Sequence, residues 1–156
     1  MTDLFRTALG AATVAALALA APAAFAAGTE TTTSTAPAAQ SGYAEAKAAV
    51  DGGQYAQALK LLAAVLKAEP RNADALNLMG YSNRKMNRFP EAERWYQAAL
   101  KANPKHLGAL EYQGELYVEM GEYAKARANL DRLAALCGTC EEYTDLQTAL
   151  LSAGQG

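Results

Sequence analysis

Two cysteines stand three residues apart as Cys137-Gly138-Thr139-Cys140, and the chain has no others. C-x-x-C is the spacing of thiol–disulfide exchange, and a thiol at a helix N-terminus is acidified toward the attacking thiolate. The same pair in an oxidising compartment forms a structural disulfide instead. Redox folds place the motif between a strand and a helix. Here Cys137 ends one helical pattern and Cys140 begins the next. The context therefore predicts a structural bond, of roughly 2 kcal/mol for so small a loop, with thiol–disulfide redox chemistry as the alternative. Covalent haem needs a histidine directly after the second cysteine, and Glu141 is there. Zinc asks for about four ligands. His106 is the single histidine and lies far from the cysteine pair in sequence. One histidine leaves little room for histidine-based acid–base or nucleophilic catalysis. No phosphate loop, nucleophile–base pair or metal-ligand cluster is present, so the sequence points to no cofactor, no metal and no enzyme.

The other chemically suggestive pattern is Glu111, Glu115 and Glu119. Four-residue spacing puts all three on one helix face, where like charges cost about 0.2–0.5 kcal/mol per pair. Helix stability does not explain them. They are either neutralised from a neighbouring element by Arg84, Lys85 or Arg88, or they form an acidic wall for a basic segment of a partner. The whole chain carries a net charge of −2. Its charges alternate in sign and give no pull toward nucleic acid.

The elements that position these residues repeat. Gly80 recurs as Gly114, 34 residues on, and Ala46 precedes it in the same register. Ala58, Ala92 and Ala126 form a second set, Tyr55, Phe89 and Tyr123 a third, and Pro70 and Pro104 a fourth. A fixed period of this length marks an array of stacked helical units. In the first unit Ser41 is the expected cap of a helix that runs to Asp51. Gly52-Gly53 makes the turn, because glycine tolerates positive φ. A second helix over Tyr55 to Ala68 buries Ala58, Leu61/Leu62 and Val65, and Pro70 stops it. In the second unit Asn72 or Asp74 starts the helix, Leu76, Met79 and Gly80 face inward, and Asn87 holds the turn. Pro90 opens the next helix, where a missing N–H costs little. Tyr96, in register with Leu62 and Leu130, belongs to the core, and Trp95 to a half-covered surface. The third unit starts near Leu107, turns at Gly121 and ends at Cys137-Gly138. His106, at the turn between units, is expected to cap or to face solvent. A seventh helix over 141–153 follows, with Thr139 and Glu142 in a capping-box pattern and Tyr143, Leu146, Leu150 and Ala153 on one face. Terminal repeats need their open apolar face covered, and this helix is the expected cover.

The first 26 residues read as a secretory signal peptide. Arg6 and the amino terminus supply positive charge, Ala8 to Ala21 is an apolar run of h-region length, and Ala24-Phe25-Ala26 offers small residues for cleavage after Ala26. The run is short for a bilayer span, so no stable membrane anchor is expected after cleavage. Its alanine-rich style suggests a bacterial Sec-type signal, with a periplasmic or secreted product. Residues 27–40, rich in threonine, alanine and serine, read as a disordered tether, leaving 41–153 as the folded domain.

The unit resembles the tetratricopeptide repeat: small residues at helix crossings, aromatics at fixed positions and a closing proline. The resemblance covers roughly Ala39 to Gly138. It implies an all-α solenoid of three helix pairs (units about 39–72, 73–106 and 107–140), closed by the 141–153 helix. It also implies a scaffold that binds a peptide or protein segment in a concave groove lined by the first helix of each unit. Carried over by position, that lining is Tyr43, Lys47 and Asp51, then Asn77, Tyr81, Arg84 and Lys85, then Glu111, Glu115 and Glu119. Tyr81, central and aromatic, is the best single contact residue. The family's carboxylate clamp is not reproduced, because Glu111 and Glu115 stand where basic residues are wanted. Lys47, Arg84 and Lys85 toward the first two units, with glutamates in the third, suggest a partner whose basic stretch lies beside Glu111 and Glu115 and whose acidic or C-terminal group lies toward Lys47.

Overall fold

In the computed structural model of the protein, residues 35–155 are described, with their side chains from Gln40 onward. The expected signal peptide at 1–26, its cleavage after Ala26 and most of the expected tether lie outside them. The described residues form seven α-helices: α1 (Thr35–Asp51), α2 (Tyr55–Ala68), α3 (Ala73–Lys85), α4 (Phe89–Ala102), α5 (Leu107–Glu119), α6 (Tyr123–Cys137) and α7 (Glu141–Ser152). None of them is long and apolar enough to cross a membrane.

The repeat is written in the backbone. The turn inside each unit places its residue at one fixed position in the left-handed region: Gly53 at φ 70°, Asn87 at 59° and Gly121 at 74°. Glycine meets no Cβ penalty there, and asparagine is among the side chains that tolerate it. The turns between units cap the next helix in a matched way. Asn72 accepts a hydrogen bond from the Ala75 N–H at 2.9 Å. One period later His106 Nδ1 accepts from the Ala109 N–H at 3.1 Å. With Nδ1 an acceptor, Nε2 carries the proton, and it points at Asp74 Oδ1, 3.0 Å away. His106 is thus a capping residue bridging two units.

Two helix starts differ from the sequence reading. Helix α1 begins at Thr35, upstream of Ser41, so residues 35–40 are helical and not tether. Alanine is the strongest helix former, and Pro37 falls in the first turn, where the N–H has no partner to lose. The Thr139–Glu142 capping box does not form. The capping position of α7 is Cys140, which makes no side-chain cap bond. Thr139 lies one residue too early to reach the first-turn N–H groups. Glu141 and Glu142 in that first turn still favour the positive end of the helix dipole.

Packing runs along the array in two layers. The backbones of α1 and α3, of α3 and α5, and of α5 and α7 lie in contact, whereas among the described residues those of α2, α4 and α6 do not approach one another. The first-helix layer is therefore the inner, concave side of the curve, and α7 continues it. At Gly80 an added Cβ would stand 2.5 Å from the Tyr96 ring carbons, and Tyr96 is fully buried. At Gly114 the close neighbour is Leu146 of α7, also fully buried. Leu146 and Leu150 close the end of the array over Leu110, Ala126 and Leu133. That is the covering role expected of the seventh helix.

Candidate binding groove

Residues four apart on α3 and α5 face the concave side. On α3, Tyr81 stands between two other tyrosines. Its ring lies 6.2 Å from Tyr55, edge-on, and 4.9 Å from Tyr112. Such pairs contribute about 0.5–1.5 kcal/mol beyond the area they bury. Tyr55, Tyr81 and Tyr112, with Lys47, Val50 and Leu78, line a pocket of about 230 Å³. Arg84 is stacked near this ladder, its guanidinium 5.5 Å from the Tyr81 centroid and 5.8 Å from that of Tyr112. Lys85 Nζ is 5.8 Å from the Tyr81 ring.

The charges are distributed differently from the expected gradient. Arg84 is 5% exposed and binds Glu115 at 2.5 Å and Glu119 at 2.9 Å. Burial opposes its charge, but the Tyr96 phenol and the two carboxylates outweigh that and hold the guanidinium above its ordinary pKa. Beneath it, burial pushes the Tyr96 phenol far above its usual range. The guanidinium is near enough to oppose this shift, yet the Tyr96 hydroxyl and Arg84 Nε form no hydrogen bond. Two of the three glutamates thus share one counterion across the stack, and Arg84 is not a free groove cation. At the first unit Lys47 is exposed and paired with Asp51 at 2.7 Å. Asn77 is buried, its amide nitrogen against Gly108 and its oxygen unpartnered. It lies beneath the groove surface and not on it. Tyr43 is half-buried, packed against the core formed by Ala46, Ala58, Leu62 and Val65.

Glu111 is the member without an ion-pair partner. It is 7% exposed, and its pKa is pushed up to about 8, first by burial and then by Glu115, Asp145 and Glu142, with Arg84 opposing. The sign of the consequence follows from proton counting. Between its ordinary value of 4.5 and about 8, the folded chain keeps a proton that the unfolded chain has released. Stability contributed at this site therefore falls as pH rises through that window and is level on either side of it. Glu111→Gln removes the slope. The variant is expected to gain melting temperature relative to wild type between pH 5 and pH 8.5. Thermal melts at both values check this, and an equal difference at both contradicts it.

Sequence reasoning missed three contributors. Tyr55 reads as a turn aromatic in register with Phe89 and Tyr123, with no sign that its ring reaches α3. Glu142 reads as half of a capping box and Asp145 carries no sequence signal, yet both act on Glu111. Cys137 and Cys140 sit on the joint between α6 and α7, their sulfurs 2.08 Å apart, at bonding distance. Free-thiol labelling of the native, non-reduced protein is expected to modify neither. Ready labelling of both would contradict the bond.

A curved array of three helix pairs with a tyrosine-lined inner face defines an all-α helical-repeat solenoid. The tetratricopeptide-repeat family model matches residues 43–106 and 77–138, and the chain belongs to that family. No curated protein sequence matches it. Among solved structures, the fold is similar to TPR2B of yeast Sti1 in a complex with pHsp70, with a TM-score of 0.67, 21% identity, and coverage of 75% of this chain and 96% of that one. It is also similar to the Yersinia enterocolitica type III secretion chaperone SycD in complex with a peptide of the translocator YopD, with a TM-score of 0.65, 20% identity, and coverage of 75% and 89%. A third is the first TPR of Spaghetti (RPAP3) bound to the HSP90 peptide SRMEEVD, with a TM-score of 0.66, 17% identity, and coverage of 74% and 93%.

Proposed function

We propose that this protein is a non-enzymatic interaction scaffold that holds a segment of another protein in its concave groove, with Tyr81 as the principal contact. The observation that carries the reading is the pocket between Tyr55, Tyr81 and Tyr112 on the inner layer. Aromatic rings supply large contact area at low entropic cost, and these three are held in place by one another before any partner arrives. The similar structures that hold peptides support a peptide or protein partner for this chain. The sequence of residues 1–26 supports a periplasmic or secreted location. The redox alternative gains nothing from the geometry, because the CGTC segment joins two helices and no strand occurs among the described residues.

The test is capture of partners from an extracytoplasmic extract of the native cell, by wild type and by Tyr81→Ala. A partner that depends on the groove is expected to bind the variant at least about tenfold more weakly, roughly 1.4 kcal/mol, with melting curves confirming that the variant is folded. Equal binding to both moves the interaction to the convex face or to α7.

A further inference from the structure

The pocket between Tyr55, Tyr81 and Tyr112 carries hydrogen-bonding capacity that the fold leaves unused. The three rings are half-covered, and none of their hydroxyls makes a hydrogen bond among the described residues. The hydroxyls are not among the buried unpartnered atoms either, so they stand where a ligand can reach them. A phenol donates as well as accepts, and a lysine only donates. Asp51 is the one carboxylate on the pocket lining, and Lys47 holds it at 2.7 Å. Beside the ladder, Lys85 is exposed, stands 5.8 Å from the Tyr81 centroid and forms no ion pair among the described residues. The site therefore offers aromatic faces, free O–H donors and one unpaired positive charge. Its complement is a segment with apolar bulk, unbonded carbonyls and a negative charge.

That complement separates the conformations a bound segment could take. A strand binds through main-chain bonds to a sheet edge. The pocket is lined from helices, whose main-chain groups are largely bonded within each helix. A helical segment has bonded its own carbonyls in the same way and brings only side chains to the phenols. A polyproline II segment keeps its carbonyls free, because it has no internal hydrogen bonds, and its prolines have no N–H to satisfy. Such segments dock in grooves lined by aromatic side chains. The dimensions agree. The ladder advances in steps of 6.2 and 4.9 Å, and one polyproline II turn of three residues, about 9 Å long, runs its length. We infer that the groove binds a proline-bearing segment of the partner in the polyproline II conformation. Its proline rings pack among Tyr55, Tyr81 and Tyr112, the tyrosine hydroxyls donate to its carbonyls, and an acidic residue within a few positions pairs with Lys85. The inference rests on the groove reading above and adds the conformation and chemistry of the bound segment. The unpaired Lys85 disfavours a basic residue at the same place.

The test is selection of a random phage-displayed peptide library on the full chain, followed by affinity measurement on synthetic copies of the selected peptides with blocked termini. Selected sequences are expected to carry at least two prolines within one turn, with aspartate or glutamate close by. Tyr55→Phe with Tyr112→Phe keeps both rings and removes two donors, and its fold is checked by melting. This variant is expected to bind those peptides about tenfold more weakly, the size of two lost hydrogen bonds. Lys85→Glu, selected afresh, is expected to keep the prolines and exchange the acidic neighbour for a basic one. Peptides that need Tyr81 but show no proline enrichment, or that bind the double phenylalanine variant as tightly as wild type, overturn the polyproline reading and leave the groove reading standing. Peptides indifferent to Tyr81→Ala overturn the groove reading and the polyproline reading with it. A selection that yields no binder counts against both.

Discussion

Gly80→Leu is expected to destabilise the fold by about 3 kcal/mol, at the upper end of what overpacking costs. This corresponds to a fall of roughly 10 °C in melting temperature for a domain of this size. A Cβ at this position would stand 2.5 Å from two carbons of the Tyr96 ring. That ring is rigid and fully buried, so it cannot swing into solvent, and the remaining leucine atoms have to displace α4 from α3. Gly114→Leu provides the contrast. There the obstacle is the flexible end of Leu146 on the terminal helix, which can change rotamer or shift, so a smaller loss is expected. Denaturant melts of the two variants give the order. A Gly80→Leu protein as stable as wild type would mean that the α3–α4 crossing is looser than described.

Arg84→Met is expected to cost about 2–3 kcal/mol. Removing one partner of a buried ion pair typically costs about 3–5 kcal/mol, because the other charge is left uncompensated. Here the loss is reduced, because Glu115 is 24% exposed and Glu119 42%, and water can reach both carboxylates once the guanidinium is gone. The two carboxylates would also be left on one helix face with Glu111. Glu115→Gln in the Arg84→Met background is therefore expected to recover about 1 kcal/mol, the sign of a direct coupling in a double-mutant cycle. Strictly additive single and double variants would show that the pairs contribute nothing to stability. The same substitution removes the cation stacked near Tyr81 and Tyr112, so looser tyrosines and weaker peptide binding are expected with it.

The period of 34 residues was legible in the chain and determined most of the architecture. A turn that needs a left-handed backbone selects glycine or asparagine, so Gly53, Asn87 and Gly121 announce it wherever they fall. A helix crossing with no room for a side chain selects glycine, so Gly80 and its neighbour Tyr96 could be placed in the core. These are local demands on one backbone or one contact, and residue type records them. The charges of the groove were not legible in this way. Spacing along α5 puts three glutamates on one face, but Arg84, 35 residues before Glu119, decides which of them have an ion-pair partner. The cover over Gly114 comes from Leu146 on α7 and not from the register-equivalent Leu130, and Glu142 and Asp145 of the same helix add to the charges that raise the Glu111 pKa. Tyr55, Tyr81 and Tyr112 become one pocket because α3 and α5 pack side by side while Tyr55 leans over from the first unit. Periodicity states which face of a helix a residue occupies. The sum of charge and ring contacts at that face depends on which neighbours the tertiary packing brings within a few ångströms, because burial and separation fix the strength of each interaction.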